Sequence, residues 1–540
     1  MDTASPLRQK GLGRRIAIAG AILATAAVVL SGCAAGSSST SSSSGTTLKI
    51  AVPSYPSSWD QDFVAFDPIA LALYKNIYPY LVDYGTTKVD GSTIQDTTNI
   101  MPAWAESFTS KDGKLWTLKL RKDASFKNGN PITAADVKWS KDRAFAAKAN
   151  VAGVYALIGL TKPDQIQVVD KYTVTFDQAY ASALSPQIQA ISLFIYDSKL
   201  MKKHATASDP WAKAYAATHP SDGGLYNVSK AVSGQNIILK ANKRYPASDG
   251  PKVDTIELKV VSDAATRSLL LRSGDVDIAM GLGTQQITDL KGVKGVKTIS
   301  APSNEMVFIP INTTMAPFNN VLVRQAVADA IPYKQIISSV YGGNARQPKS
   351  VVPIDMPGYT TAAFPYDTDL TKAKKLMAQA GAGDVKTELV YAASDDEQEQ
   401  IAVIVQSALA KIGITATPTP LDPATLGDRR AAKDIPLQIE SGQEWVNDVD
   451  YLMSGWTTGA YRNYSNYSNK TVDADVASSQ TMTDQTKRLA LFKQIQLQFA
   501  KDVPVIPLAQ PNYNLPVRTN VSGFVQSVDG LIRLKYLTKK

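Results

Sequence analysis

One cysteine, Cys33, and two imidazoles, His204 and His219, are the only representatives of those reactive types in 540 residues. A single thiol forms no intrachain disulfide and cannot by itself build a thiolate zinc site. The histidines lie in a polar stretch with Pro220 following, which favours surface positions over a metal site, and no metal or cofactor is expected. Acids pair at Asp275/Asp277, Asp448/Asp450 and Asp473/Asp475, a spacing too common to indicate glycoside chemistry unaided. Gly-x-Ser-x-Gly, His-Glu-x-x-His and Gly-x4-Gly-Lys do not occur, so an extracytoplasmic hydrolase is only a weak alternative.

Cys33 follows Arg8, Lys10, Arg14, Arg15 and fifteen uncharged residues from Ile16 to Leu30, the basic and apolar order of a secretory signal. That run is shorter than the roughly 20 residues a membrane-spanning helix needs. Leu30-Ser31-Gly32-Cys33-Ala34 resembles the lipobox of bacterial lipoproteins, whose cysteine is acylated and becomes the first residue. The expectation is a signal peptide over 1–32, lipidation of Cys33, and a location on the outer face of the cytoplasmic membrane. An ordinary signal peptide with an unpaired cysteine is the alternative, and Arg14-Arg15 leaves twin-arginine export open. Residues 33–47, Ser- and Gly-rich without charge or large side chains, read as a flexible tether.

Beyond the tether the chain is too long for one hydrophobic core, and its 7 Trp, 23 Tyr and 13 Phe exclude disorder. The formal charge of +9 includes a net +3 in the first 33 residues, leaving +6 spread thinly over the rest. With no dense basic block, nucleic acid is not an expected partner.

Alternating strands and amphipathic helices give an α/β chain. Trp116, Leu118 and Leu120 form one alternation and Tyr172, Val174 and Phe176 another; Thr133 and Asp136 open a helix between them. A helix from Ser262 to about Arg272 stops at Ser273-Gly274, and Val276-Asp277-Ile278 reads as a strand. Apolar stripes follow through Val323, Val327, Ala330 and Ile331, and through Leu370, Ala373, Leu376, Met377 and Ala380 before Gly381. Another, capped at Ser394, runs through Ile401, Ile404, Ala408 and Ile412. The last spans about Asp484 to Phe499 through Leu489, Phe492 and Ile495.

Several pieces occur in a recognisable order. Met101–Phe108, then Lys111–Arg121, then Phe126–Lys138 closely resemble the signature of family 5 solute-binding proteins, the oligopeptide, dipeptide and nickel receptors of ABC importers. Leu271–Ile278, Asn312 with Pro317-Phe318, Val323–Val327, Asp369–Leu376 and Lys411–Ile414 extend the resemblance from about residue 48 to the C-terminus. The chain departs from the pattern at Lys127-Asn128, where a histidine is often found, and at Gly223-Gly224-Leu225-Tyr226, where Gly-Pro-Tyr is usual.

The resemblance implies a two-lobed periplasmic-binding-protein fold, type II, cluster C, with an additional subdomain. Its boundaries would place lobe I at 48–75, 187–303 and 510–540, the extra subdomain at 76–186, and lobe II at 304–509. The lobes would be joined by crossing strands near 304–312 and 503–514, carried by Met306–Ile311 and Val503–Leu508. It also implies a monomeric receptor that captures oligopeptides in a hinged cleft and delivers them to ABC permease subunits; a nickel chelate, sugar or opine is the alternative solute. Asp448 matches the aspartate that receives a peptide's α-ammonium, with register open by one or two positions. Trp445 would wall the pocket or pack beneath it, and Trp456 would pack. Met280, Gly281, Tyr55 and Trp59 fall where the family lines its cleft.

Overall fold

Thr47–Val52 is the first strand among the described residues and lies in the interior of a seven-stranded sheet. It runs parallel to Thr255–Val260 on one side and to Ile278–Ala279 on the other. Leu48, Ile50 and Ala51 are fully buried because a strand in this place is covered on both faces. Leu48 and Ile50 each contribute about 1.5–3 kcal/mol of burial. The computed structural model describes residues 45–540 apart from 64–66, 90, 193, 246–249 and 362. The expected signal, Cys33 and the tether as far as residue 44 lie outside the described residues.

Four of the six apolar clusters among the described residues hold most of the core. One joins Ile50, Tyr74, Tyr196, Leu239, Ile256 and Val517 around the seven-stranded sheet. A second, on the strands Leu115–Leu120 and Thr173–Asp177 and the helix Ala134–Ala146, gathers Leu118, Val137, Phe176 and Ile188. Thr133 and Asp136 close a capping box at that helix start, the carboxylate accepting from Thr133 N at 2.8 Å. The third collects Ile309, Val323, Val327, Leu389, Val405 and Ile506. The fourth packs Val449, Leu452, Trp456, Phe492 and Phe499 between helices.

The expected helices form with small boundary shifts. Asp263 rather than Ser262 caps Ala264–Ser273, and Asp395 rather than Ser394 caps Asp396–Ala410. In each case the carboxylate accepts a backbone N–H of the first turn, at 2.7 Å from Thr266 N and 3.0 Å from Gln398 N. Val276 and Asp277 fall outside the strand, which is only Ile278–Ala279. Val503 does not open a strand; it ends the helix Gln485–Asp502 at φ 47°, and extended backbone resumes at Val505. Pro504 enforces the break, since the residue before proline avoids the right-handed helical region.

Two neighbouring strands carry the chain between sheets. Val296–Ala301 pairs antiparallel with Tyr513–Arg518 in the seven-stranded sheet, and Glu305–Pro310 then pairs antiparallel with Val505–Pro511 in a four-stranded one. Between these pairs side chains supply the bonds: Ser303 Oγ donates to Pro511 O, and Gln510 Nε2 donates to Ser303 O, each at 2.6 Å. Prolines 302 and 511 lack the N–H a regular ladder would use, which makes this the natural place for the ribbon to bend.

Candidate functional site

Loops leave the same edge of the seven-stranded sheet after Val52, Val260 and Ala279, the ends of three parallel neighbours. In open α/β sheets this carboxyl edge is where ligands bind. Arg267, only 3 % exposed, ties the loops together: Nε donates to Met280 O at 2.9 Å and Nη1 to Val261 O and Ser262 O at 2.7 and 2.8 Å. Nη2 donates to Gly281 O at 2.5 Å. Burial holds this guanidinium below its ordinary pKa, with Asp263 opposing the shift. Gly281 adopts φ 64°, and a Cβ there would sit 3.4 Å from Pro53 Cγ, so the turn needs glycine for its backbone rather than for space.

The first loop carries Tyr55 and Trp59, whose rings meet edge to face at 6.1 Å. Trp59 is 5 % exposed and belongs to the core, its carbonyl accepting from Tyr78 Oη at 2.5 Å; Tyr55 packs against that core and stays half-buried. Asp60 and Asp62 on the same loop bind Arg143, a fully buried guanidinium of the helix Ala134–Ala146. Burial raises Asp62 to about 6 against the pull of Arg143.

Opposite the Gly281 turn, Glu397 Oε1 accepts from Thr284 N at 3.1 Å and Thr284 Oγ1 at 2.7 Å. Glu397 lies in the first turn of Asp396–Ala410 and Thr284 opens the helix Thr284–Asp289 that follows Ile278–Ala279, so this contact joins two helix starts. Glu305, on the crossing strand, is pushed up to about 7 by burial and by the charges of Glu397 and Asp395. Those two carboxyls are raised as well, chiefly by burial.

The segment 443–451 leaves the four-stranded sheet and packs Val446, Trp445 and Tyr451 into the cluster of Leu118 and Phe176. Asn447 accepts from Asn304 at 3.2 Å and donates to Thr97 at 3.4 Å. Asp448 is the N-cap of Val449–Ser454 and accepts from Asp450 N at 2.8 Å. Its carboxylate is also gripped by both Nη atoms of Arg488, 3.0 Å at Nη1, and the two residues are 8 % and 1 % exposed. Burial lifts neighbouring Asp450 to about 6, opposed by Arg488. Glu444 differs: Oε1 accepts from Arg462 Nη2 at 2.5 Å, while Oε2 is buried without a partner.

The sequence-selected residues thus fall into two groups. Tyr55, Trp59, Met280 and Gly281 share the sheet edge; Trp445 and Asp448 share the packed segment, with Asp448 committed to Arg488. Trp456 packs, its ring 5.6 Å from Phe308 and 6.3 Å from Phe499. Sequence spacing does not single out Arg267, Arg488, Glu397 or Glu444. The available signal for Arg488 was a charge four residues before Phe492, on the apolar stripe of its helix. Among the described residues no group of three His, Cys, Asp or Glu converges to hold a metal, and the two histidines stack on either face of Tyr215 at 3.6 and 4.3 Å. No helix among the described residues is long and apolar enough to cross a membrane.

Known proteins resemble this arrangement over most of its length. The chain is 29% identical over 455 residues to the probable D,D-dipeptide-binding periplasmic protein DdpA of Escherichia coli (strain K12), covering 83% of this chain and 85% of that one. It is 27% identical over 438 residues to the glutathione-binding protein GsiB of Salmonella choleraesuis (strain SC-B67), covering 78% and 82%. The periplasmic binding protein DppA of Helicobacter pylori, solved with the peptide STSA, superposes with a TM-score of 0.79 at 24% identity over 92% of this chain and 98% of that one, which places the fold among two-lobed binding proteins. Residues 99–464, more than half of the chain, match the bacterial extracellular solute-binding proteins, family 5 Middle, and the chain belongs to that family.

Proposed function

We propose that this chain is the extracytoplasmic receptor of an ABC importer and that it takes short peptides between two hinged lobes. The observation that carries this reading is the pair of crossing strands at Ser303 and Gln510, with the start of the helix Thr284–Asp289 meeting the start of the helix Asp396–Ala410 through Thr284 and Glu397. A ribbon of two strands limits relative motion to a hinge, and contacts made by a ligand to both lobes favour the closed arrangement. The names of its relatives, which bind a D,D-dipeptide and glutathione, support a peptide-like solute.

In this reading the peptide's backbone pairs with loop backbone at the sheet edge, beside Tyr55, Met280 and Gly281, and its α-ammonium docks on the segment 444–448. Asp448, the residue favoured by the family pattern, could receive it only by sharing oxygens already bound to Arg488. We assign the ammonium to Glu444, whose Oε2 is buried and unbonded; an ammonium there would supply the missing charge-assisted bond. Trp445, next in sequence, remains a proposed wall of that subsite. Cys33 is proposed as the lipid anchor holding the receptor at the membrane.

Calorimetry with matched tripeptides, one with a free amino terminus and one N-acetylated, tests the ligand class. The free form is expected to bind with at least tenfold higher affinity; absence of binding by any peptide, with a sugar or chelate bound instead, rejects the peptide reading. Cys33→Ser is expected to release the protein from the membrane fraction, and unchanged fractionation rejects the anchor.

A further inference from the structure

A second cluster of charge surrounds a small cavity lined by Lys75, Asn76, Tyr80, Asp83, Arg533 and Lys535, with Tyr78, Leu225 and Tyr245 completing the wall. Lys75 comes from the last turn of the helix Pro68–Ile77, Asp83 from the strand Val82–Val89, and Arg533 and Lys535 from the C-terminal segment. The fold therefore draws three cations from two distant parts of the sequence to one small space. Lys75 Nζ stands 3.8 Å above the Tyr80 ring and donates to Ala190 O at 3.4 Å. Arg533 donates to Asp529 Oδ2 at 2.6 Å and to Leu531 O at 3.0 Å, which uses part of its fork. Asp83 and Asp529 are the two carboxylates near Lys75.

Two observations show that these groups are incompletely answered. Tyr80 is 6 % exposed, lines the cavity, and its hydroxyl is buried with no hydrogen-bond partner. A buried O–H without an acceptor carries an uncompensated desolvation cost. Lys75 is pushed down to about 7, first by burial and next by the charge of Arg533, even though Asp529 and Asp83 pull the other way. Charge of the opposite sign inside the cavity would answer both the hydroxyl and the ammonium.

We propose that this cavity is a binding site for one small oxyanion of the sulfate or phosphate type, distinct from the peptide contacts assigned to Glu444 and the Gly281 turn. Tetrahedral oxyanions accept from several donors at once, and Lys75, Tyr80 and Arg533, which all line the cavity, carry ammonium, hydroxyl and guanidinium donors. Binding recruits a proton to Lys75, so affinity falls as pH rises through its pKa.

Sulfate is the probe, because its charge is constant from pH 6 to pH 9. Equilibrium dialysis of the purified protein against labelled sulfate, at ionic strength fixed with chloride, is expected to give saturable binding of one ion per chain, weaker at pH 9 than at pH 6. Tyr80→Phe keeps the ring beneath Lys75 and removes only the hydroxyl; it is expected to weaken sulfate at least fivefold. Lys75→Met is expected to abolish it. Non-saturable uptake, an affinity unchanged in Tyr80→Phe, or one that does not vary with pH overturns the proposal. The peptide calorimetry of the cleft is independent of each of these outcomes.

Discussion

Asp448→Ala separates a ligand contact from a structural ion pair. The aspartate caps a helix and holds Arg488 through both Nη atoms, in a place where the arginine is 1 % exposed. Removing the carboxylate leaves the guanidinium with Asp450 at 3.3 Å and Gln485 at 3.4 Å, while its Nε already has no partner. Leaving a buried charge without its main counter-ion costs about 3–5 kcal/mol, more than the roughly 1 kcal/mol of a lost helix cap. Urea unfolding followed by tryptophan fluorescence reads this directly, since Trp456 sits in the same core as Phe492. The expected result is a lower midpoint at unchanged slope, equivalent to about 3–5 kcal/mol. Most of that loss should return in Asp448→Leu combined with Arg488→Met and Asp450→Asn, which removes the whole buried charge cluster, including the carboxylate that also leans on Arg488. A stability change below about 1 kcal/mol, together with loss of preference for free amino termini, would refute this reasoning and restore Asp448 as the ammonium receptor.

Three further predictions follow from particular groups. Glu444→Gln keeps the side-chain shape and removes its charge; peptides with free amino termini should lose about 10- to 100-fold in calorimetric affinity, or about 1.4–2.7 kcal/mol, and N-acetylated ones almost nothing. Glu305 titrates near 7 when folded against 4.5 as its ordinary value, so the native state holds the extra proton between those limits and the wild type loses stability as pH rises through them. Glu305→Gln should therefore be the more stable protein in thermal melts at pH 8, with the advantage shrinking toward pH 5; Glu397, Asp395 and Tyr341 are the titratable groups around it. Gly281→Ala should lower stability by about 1–2 kcal/mol through its left-handed backbone alone, because the added methyl meets Pro53 at an ordinary 3.4 Å; a larger loss would mean the Arg267 clamp had come apart.

Local chemistry was legible wherever it was local. The strands around Leu118 and Val174, the capping box of Thr133 and Asp136, and the apolar stripe through Leu489, Phe492 and Ile495 follow from spacing, because short-range periodicity records which face is buried. Caps slipped by one residue at Ser262 and Ser394, since serine and aspartate are both good caps and only the path of the backbone selects between neighbours. The site was less legible because its partners are distant in sequence. Arg488 lies forty residues beyond Asp448, and Thr284 meets Glu397 across 113. No pattern of spacing announces such a pair. The acidic segment 444–450 was visible as a concentration of carboxylates, but which oxygen is already taken and which is free depends on Arg462 and Arg488 and emerges only with the fold.

Small-angle scattering of the protein stripped of bound solute, recorded while a free-amino tripeptide is titrated in, bears most directly on the hinged-receptor account. The radius of gyration should fall to a plateau at one peptide per chain, as the parts on either side of Ser303 and Gln510 swing together. A peptide that binds stoichiometrically while the radius stays constant would show that the crossing ribbon does not bend, and would contradict the account.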